Sequence, residues 1–268
     1  MTGMGLDAFV LCRCWQDGHT TEPPVPRERV RTDEYGPYLD DGPDEAAVGE
    51  SLGAAFWEWK THAACAHEDM EIASERISNW GGYRYLKQAM ETAGWERFPV
   101  LREHLPEGNG GELPAERAQE ALDELEAFRA CDDVGRETVL LDEDTGTVLA
   151  ASIRAYGGVF VWDGIAKRRV GVDERGLFVV DDSDRELFRA LRCTQKRVRA
   201  GRVRFTTEDG EETTLDLTST VGERDGAYPR RLNVVERPLG GAYFDYAVEP
   251  LRLVCAASAR TGNPVVWC

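Results

Sequence analysis

The 268-residue chain has no apolar run approaching the roughly eighteen residues that a membrane-crossing helix needs. Its first residues, Met1-Thr2-Gly3-Met4-Gly5-Leu6, lack the basic and apolar blocks of an export signal. A cytoplasmic location without a membrane span is the resulting expectation. Several catalytic signatures are missing too: G-x-S-x-G, a Walker phosphate loop, G-x-G-x-x-G after a strand, and H-E-x-x-H. Basic charge is scarce. The 32 Lys and Arg stand against 49 Asp and Glu, a net charge of −17 that disfavours binding to a nucleic-acid backbone. Cysteines number seven, an odd count scattered along the chain, which reads as reduced thiols in a reducing compartment.

Against these absences, two short segments concentrate the sulfur and nitrogen ligands: Cys12-Arg13-Cys14 and His62-Ala63-Ala64-Cys65-Ala66-His67-Glu68. Apolar and β-favouring residues run almost unbroken from Asp7 to Trp15, which predicts a short buried strand. Side chains two apart on a strand share a face, so Cys12 and Cys14 would offer two thiolates to one ion. The second segment closes a predicted helix that begins after Asp44-Glu45 and contains Phe56, Trp57 and Trp59. His62 and Cys65, three apart, share a helix face. Cys65 and His67 do not, so their joint use requires the helix to end near Ala64. Either choice completes four donors of the kind that suit tetrahedral zinc, with copper or iron as the other metals such donors take. The plainer alternative is a pair of buried thiols and an ordinary helix-end histidine.

The pattern of elements predicts an α+β fold. A helix-rich, acidic part spans 1–135 and carries the candidate metal site; a mostly antiparallel β-rich part with a C-terminal helix spans 136–268. The two form either separate packed parts or one compact domain. Residues 18–44 are rich in Pro, Asp, Glu and Arg and read as a long loop, held if packed by Tyr35, Tyr38 and Leu39. Helical spacing predicts helix at 71–77 and 84–93, the latter introduced by Ser78-Asn79 and stopped by Gly94. A further helix is predicted over 114–130, begun by Pro114, with Glu116, Glu120, Asp123 and Glu124 on an outward acidic face. Hairpins follow from 138 to 180 and again around 208–211. Asp184 is read as the cap of a helix to Arg192, 244–247 as a strand, Glu249-Pro250 as the opening of the last helix, and 265–267 as a final strand.

Charge is unevenly distributed. Residues 1–135 hold 28 Asp and Glu against 12 Lys and Arg, whereas 136–268 hold 21 against 20. An acidic surface of this kind solubilises, and it also steers a basic protein partner. Eight Lys and Arg between 185 and 204 face one acid in sequence, Glu186, and the protein's own acidic half is their expected counterpart.

The opening Met4-Gly5-Leu6-Asp7-Ala8-Phe9-Val10-Leu11-Cys12-Arg13-Cys14, the segment Ala64-Cys65-Ala66-His67-Glu68, Ser78-Asn79-Trp80-Gly81-Gly82 and the tail Thr261-Gly262-Asn263-Pro264-Val265-Val266-Trp267 carry a resemblance. Together they resemble a family of uncharacterised bacterial proteins that begin MGLD-x-x-V-x-C-x-C. That resemblance favours Cys12, Cys14, Cys65 and His67 as the metal ligands, with His62 as the alternate, and implies no activity.

Two functional classes stay open at this level. In one, the ion is structural and the protein binds a macromolecule, as an inhibitor or immunity-type protein would. In the other, three protein ligands leave a position open for a metal-dependent hydrolase, with Glu68 as general base.

Overall fold

The computed structural model describes residues 5–40, 50–152 and 156–268. Helices and antiparallel sheets are both present, so the chain is α+β. Its contacts divide it into two compact units, Met1–Val134 with Gly240–Cys268, and Gly135–Leu239. The last helix and strand therefore belong with the amino-terminal unit rather than with the β-rich part.

Within that first unit, β1 (Gly5–Leu11) pairs antiparallel with both neighbours, and it is buried almost throughout. A small hairpin of β2 (Val30–Asp33) and β3 (Gly36–Leu39) occupies the proline-rich segment. The main sheet runs in the order β4 (Glu71–Asn79), β1, β16 (Val265–Trp267), β5 (Glu112–Leu113). Helix α1 (Glu50–Glu58) precedes the ligand segment, and the expected start of that helix near Asp44-Glu45 lies outside the described residues. Helix α2 (Trp80–Ala93) starts where Asn79 Oδ1 accepts from the Gly82 N–H at 2.8 Å, and it stops at Gly94, whose φ of 98° suits glycine.

Strands are thus not confined to the C-terminal half, and residues 71–77 show why. They form β4 instead of the helix that their spacing predicts. In the β1–β4 register, Leu6 meets Ser78 and Asp7 meets Arg76, skipping Ile77; Val10 meets Ala73 and Leu11 meets Glu71, skipping Ile72. Both isoleucines sit at bulges. Each extra residue breaks the two-residue alternation and leaves an interval that mimics a helix period.

Short helix α3 (Pro99–His104) leads to α4 (Ala118–Arg129), which Pro114 and a 3-10 turn at Ala115–Arg117 introduce. Ala118, Ala121, Leu125 and Phe128 bury one face of α4. The opposite face is not a free row of acids. Glu124 turns back to accept from the Val100 and Leu101 N–H groups at 3.0 and 2.8 Å, filling orphan donors at the start of α3. Residues 244–247 are helical, not a strand: a 3-10 turn Gly241–Phe244 runs into α5 (Asp245–Thr261). Pro250 therefore lies inside the helix, where it removes one main-chain hydrogen bond, and does not open it.

The second unit consists of two sheets. One has the order β11 (Glu186–Ala190), β10 (Gly176–Asp181), β9 (Arg168–Asp173), β8 (Val159–Asp163). The other has the order β14 (Glu212–Asp216), β13 (Arg202–Thr207), β12 (Arg192–Arg199), β15 (Arg231–Pro238), β6 (Arg136–Asp142), β7 (Val148–Ala151). Leu140, Val172, Leu177, Phe205 and Leu232 from both sheets share one core, in which Phe188 stacks on Phe205 at 4.7 Å. Burying Phe188 in that core holds 186–190 as a strand, in place of the predicted helix. Asp184 sits in the turn before it with φ of 62°.

Among the described residues, six of the eight basic side chains pair with carboxylates close by in the second unit and none with the acidic half. Arg185 pairs with Asp181, Arg189 with Asp173 and Glu186, Arg192 with Glu143 and Glu208, Arg197 with Glu223, Arg202 with Asp216, and Arg204 with Glu212. Cross-strand neighbours are only about 5 Å apart, so hairpin geometry supplies counter-charges that a linear reading does not reveal.

Candidate metal centre

Cys12 and Cys14 do not share a strand face, because β1 ends at Leu11 and the chain turns at once. The Asp17 N–H donates to Arg13 O at 2.8 Å and the His19 N–H to Cys14 O at 2.7 Å, which curls both cysteines to one side. Cys12 is fixed by its own N–H, which donates to Met70 O at 2.7 Å.

The other two donors arrive by a widened helix end. After α1, Trp59–Ala63 form a π-helical turn closed by the Ala64 N–H donating to Trp59 O at 2.7 Å. Such turns re-aim the chain where an ordinary helix would carry on. The helix thus ends where joint use of Cys65 and His67 requires. His62 stays on the π turn, exposed and outside the cluster. Beyond His67, Asp69 and Met70 take left-handed conformations with φ of 50° and 60°. For a side chain as large as methionine that backbone is costly, and here it turns the chain from the ligand segment into β4.

The ligand atoms of Cys12, Cys14, Cys65 and His67 all lie within 4.8 Å of one another. Cys12 Sγ is 3.7 Å from Cys65 Sγ; His67 Nδ1 is 3.5 Å from Cys14 Sγ and 3.6 Å from Cys65 Sγ. A tetrahedral zinc with Zn–S of about 2.3 Å and Zn–N of about 2.0 Å separates two sulfurs by about 3.8 Å, and a sulfur from a nitrogen by about 3.5 Å. These three separations match those around a central ion, and this Cys3His cluster could hold a metal such as zinc. Glu68 is not among the converging donors. It is exposed at the start of the 3-10 turn Glu68–Met70.

Burial shapes the electrostatics. It pushes the Cys12 thiol up to about 12, with the neighbouring cysteine sulfurs adding to the rise, and it also raises Cys14. Uncompensated negative charge is thus unwelcome here, and a dication is the natural compensation for converging thiolates. The surroundings are apolar: Val25, Val30, Phe56, Trp59, Ala64 and Met70 pack with Cys12. Val25, Val30 and Leu39 tie the proline-rich segment to this cluster, Tyr35 packs against Phe9 with ring centres 6.2 Å apart, and Tyr38 is 43% exposed.

The sequence reading assigns no supporting role to three residues that hold the site. Thr21 accepts from Trp59 Nε1 at 2.9 Å, donates its hydroxyl to Ala63 O at 2.8 Å, and donates its N–H to Ala64 O at 2.8 Å. Trp59 meets Trp15 edge-on at 5.9 Å. Asn263, from the far end of the chain, donates to Leu11 O at 2.8 Å and Cys12 O at 3.2 Å. Only Asn263 had a signal, as part of the tail that carries the resemblance.

Comparison with family models, curated proteins and solved structures finds no match for this chain.

Proposed function

We propose that Cys12, Cys14, Cys65 and His67 hold one zinc ion in a closed, structural site, and that the protein acts by binding a basic protein, in the manner of an inhibitor or immunity protein. The observation that carries this reading is the convergence of four donors, three sulfurs and one nitrogen, within 4.8 Å of one another, with three of their separations at 3.5–3.7 Å. Four protein ligands are the mark of structural zinc, whereas catalytic zinc keeps a position open. A thiolate-rich tetrahedral set favours zinc over copper(II), which prefers flatter arrangements. The hydrolase alternative, with Glu68 as general base, needs an open position that a complete Cys3His set removes.

An ion there would join the turn after β1 to the exit from α1, and through the surrounding apolar residues it would fix the proline-rich hairpin. Glu22, Glu28 and Glu34 are exposed along that segment. With the surplus of acids in residues 1–135, they supply a field that steers a basic partner. Elemental analysis of the purified protein should find one zinc per chain. A pull-down should recover a basic protein at low salt and lose it at high salt, where screening shortens to about 3 Å at 1 M. Metal-free protein of undiminished stability would overturn the structural site, and failure to recover any partner at low salt would overturn the binding role.

A further inference from the structure

Of the eight basic residues between 185 and 204, only Lys196 and Arg199 have no carboxylate partner among the described residues. Arg199 lines an open pocket of about 470 Å³ at one end of the second unit. The walls come from three places: Ala200 and Gly201 at the β12–β13 turn, Ile165 and Ala166 at the β8–β9 turn, and Leu217 and Thr218 after β14. Arg202 and Asp216, also in the lining, pair with each other at 3.1 Å, so the free charge that the pocket offers is the Arg199 guanidinium.

Two large apolar side chains, Ile165 and Leu217, stand in the pocket wall with that cation. Ile165, in the pocket wall, is 88% exposed at its turn. Val198, next to Arg199 in the chain, is exposed at a bulge in β12. An exposed isoleucine beside an unpaired cation in a concave wall suits an interaction surface.

We propose that this pocket binds an acidic peptide segment of a partner protein, with one carboxylate on Arg199 and an adjacent bulky apolar side chain against Ile165 and Leu217. A guanidinium takes a carboxylate through paired hydrogen bonds. The choice of a peptide over nucleic acid follows from the lining, which has one free cation and no aromatic ring on which a base could stack. The site is independent of the metal centre.

The test uses the full-length chain and short fluorescent peptides in which a Leu or Phe is flanked by Asp and Glu. Control peptides replace either the acids by Ser and Gln or the apolar residue by Ser, and single-stranded oligothymidylate serves as the nucleic-acid probe. Binding of the acidic apolar peptide should weaken about tenfold in Arg199→Ala and to a similar degree in Ile165→Ser. Either change in the peptide should weaken it as well. Both protein substitutions lie at exposed positions and should leave the circular-dichroism melting curve unchanged. Absence of peptide binding, equal binding by both variants and the parent, or tighter binding of oligothymidylate would each overturn the proposal.

Discussion

Asn263 holds the first cysteine loop by its backbone, donating its side-chain amide to Leu11 O at 2.8 Å and to Cys12 O at 3.2 Å. The two segments are some 250 positions apart in sequence, yet the carboxy-terminal tail sets where the first ligand stands. Replacing Asn263 by Ala leaves two carbonyls without this donor at a place that is largely closed to water. The expected cost is about 2 kcal/mol, read as a lower urea midpoint, together with weaker retention of the proposed zinc against a chelator. Unchanged stability and zinc retention would show that the tail does not position the loop.

Glu124 offers a second test, since it caps α3 instead of facing a partner. Glu124→Ala should destabilise the protein by about 1–2 kcal/mol, whereas Glu116→Ala, on the same stretch, should stay within about 0.5 kcal/mol. Thermal unfolding of the two variants distinguishes them. Equal effects would contradict the capping role.

Much of the fold is legible in the sequence, and the misses have local causes. Asn79 capping α2, Gly94 ending it and the 138–180 hairpins follow from residue chemistry that tertiary packing leaves intact. Ile72 and Ile77 mislead because bulges disguise their strand. Phe188 misleads because a short segment after Asp184 satisfies helix rules until the opposing sheet, through Phe205, supplies a core. At the candidate metal centre, the set of donors that cluster is legible from residue type and spacing. The geometry is not: Cys12 and Cys14 converge through a turn rather than a strand face, and the π turn at Trp59–Ala63 leaves no pattern that distinguishes it from ordinary helix.

Glu223 contributes to the acid response of the second unit, in which Asp163 and Asp181 are also held low. It accepts from the Thr220 N–H at 3.0 Å and hydroxyl at 2.9 Å and pairs with Arg197, which together hold its carboxyl at about 2. An unfolded glutamate titrates near about 4.3. Because the folded value is depressed, the stabilisation is complete above the unfolded value and is lost as pH falls through the folded one. Glu223→Gln should therefore lower the urea midpoint at neutral pH, and its gap from the parent should narrow below about pH 4 and close near about pH 2. A gap that stays constant across that range would contradict the ion pair's role.

Cys12→Ser probes the proposed ion's structural part. Losing one of four ligands should sharply lower the melting temperature of the zinc-loaded protein. Treating the parent with a chelator should reproduce that loss. After chelation, parent and variant should melt close together, and a gap that persists undiminished would assign the effect to packing of the thiol.

X-ray absorption at the zinc edge, on protein purified with its metal, tests the proposed closed Cys3His site. A closed site gives a first shell of three sulfurs at about 2.3 Å and one nitrogen at about 2.0 Å. A shell with fewer sulfurs and an added light-atom ligand from solvent would contradict the closed site and return the Glu68 hydrolase reading to first place.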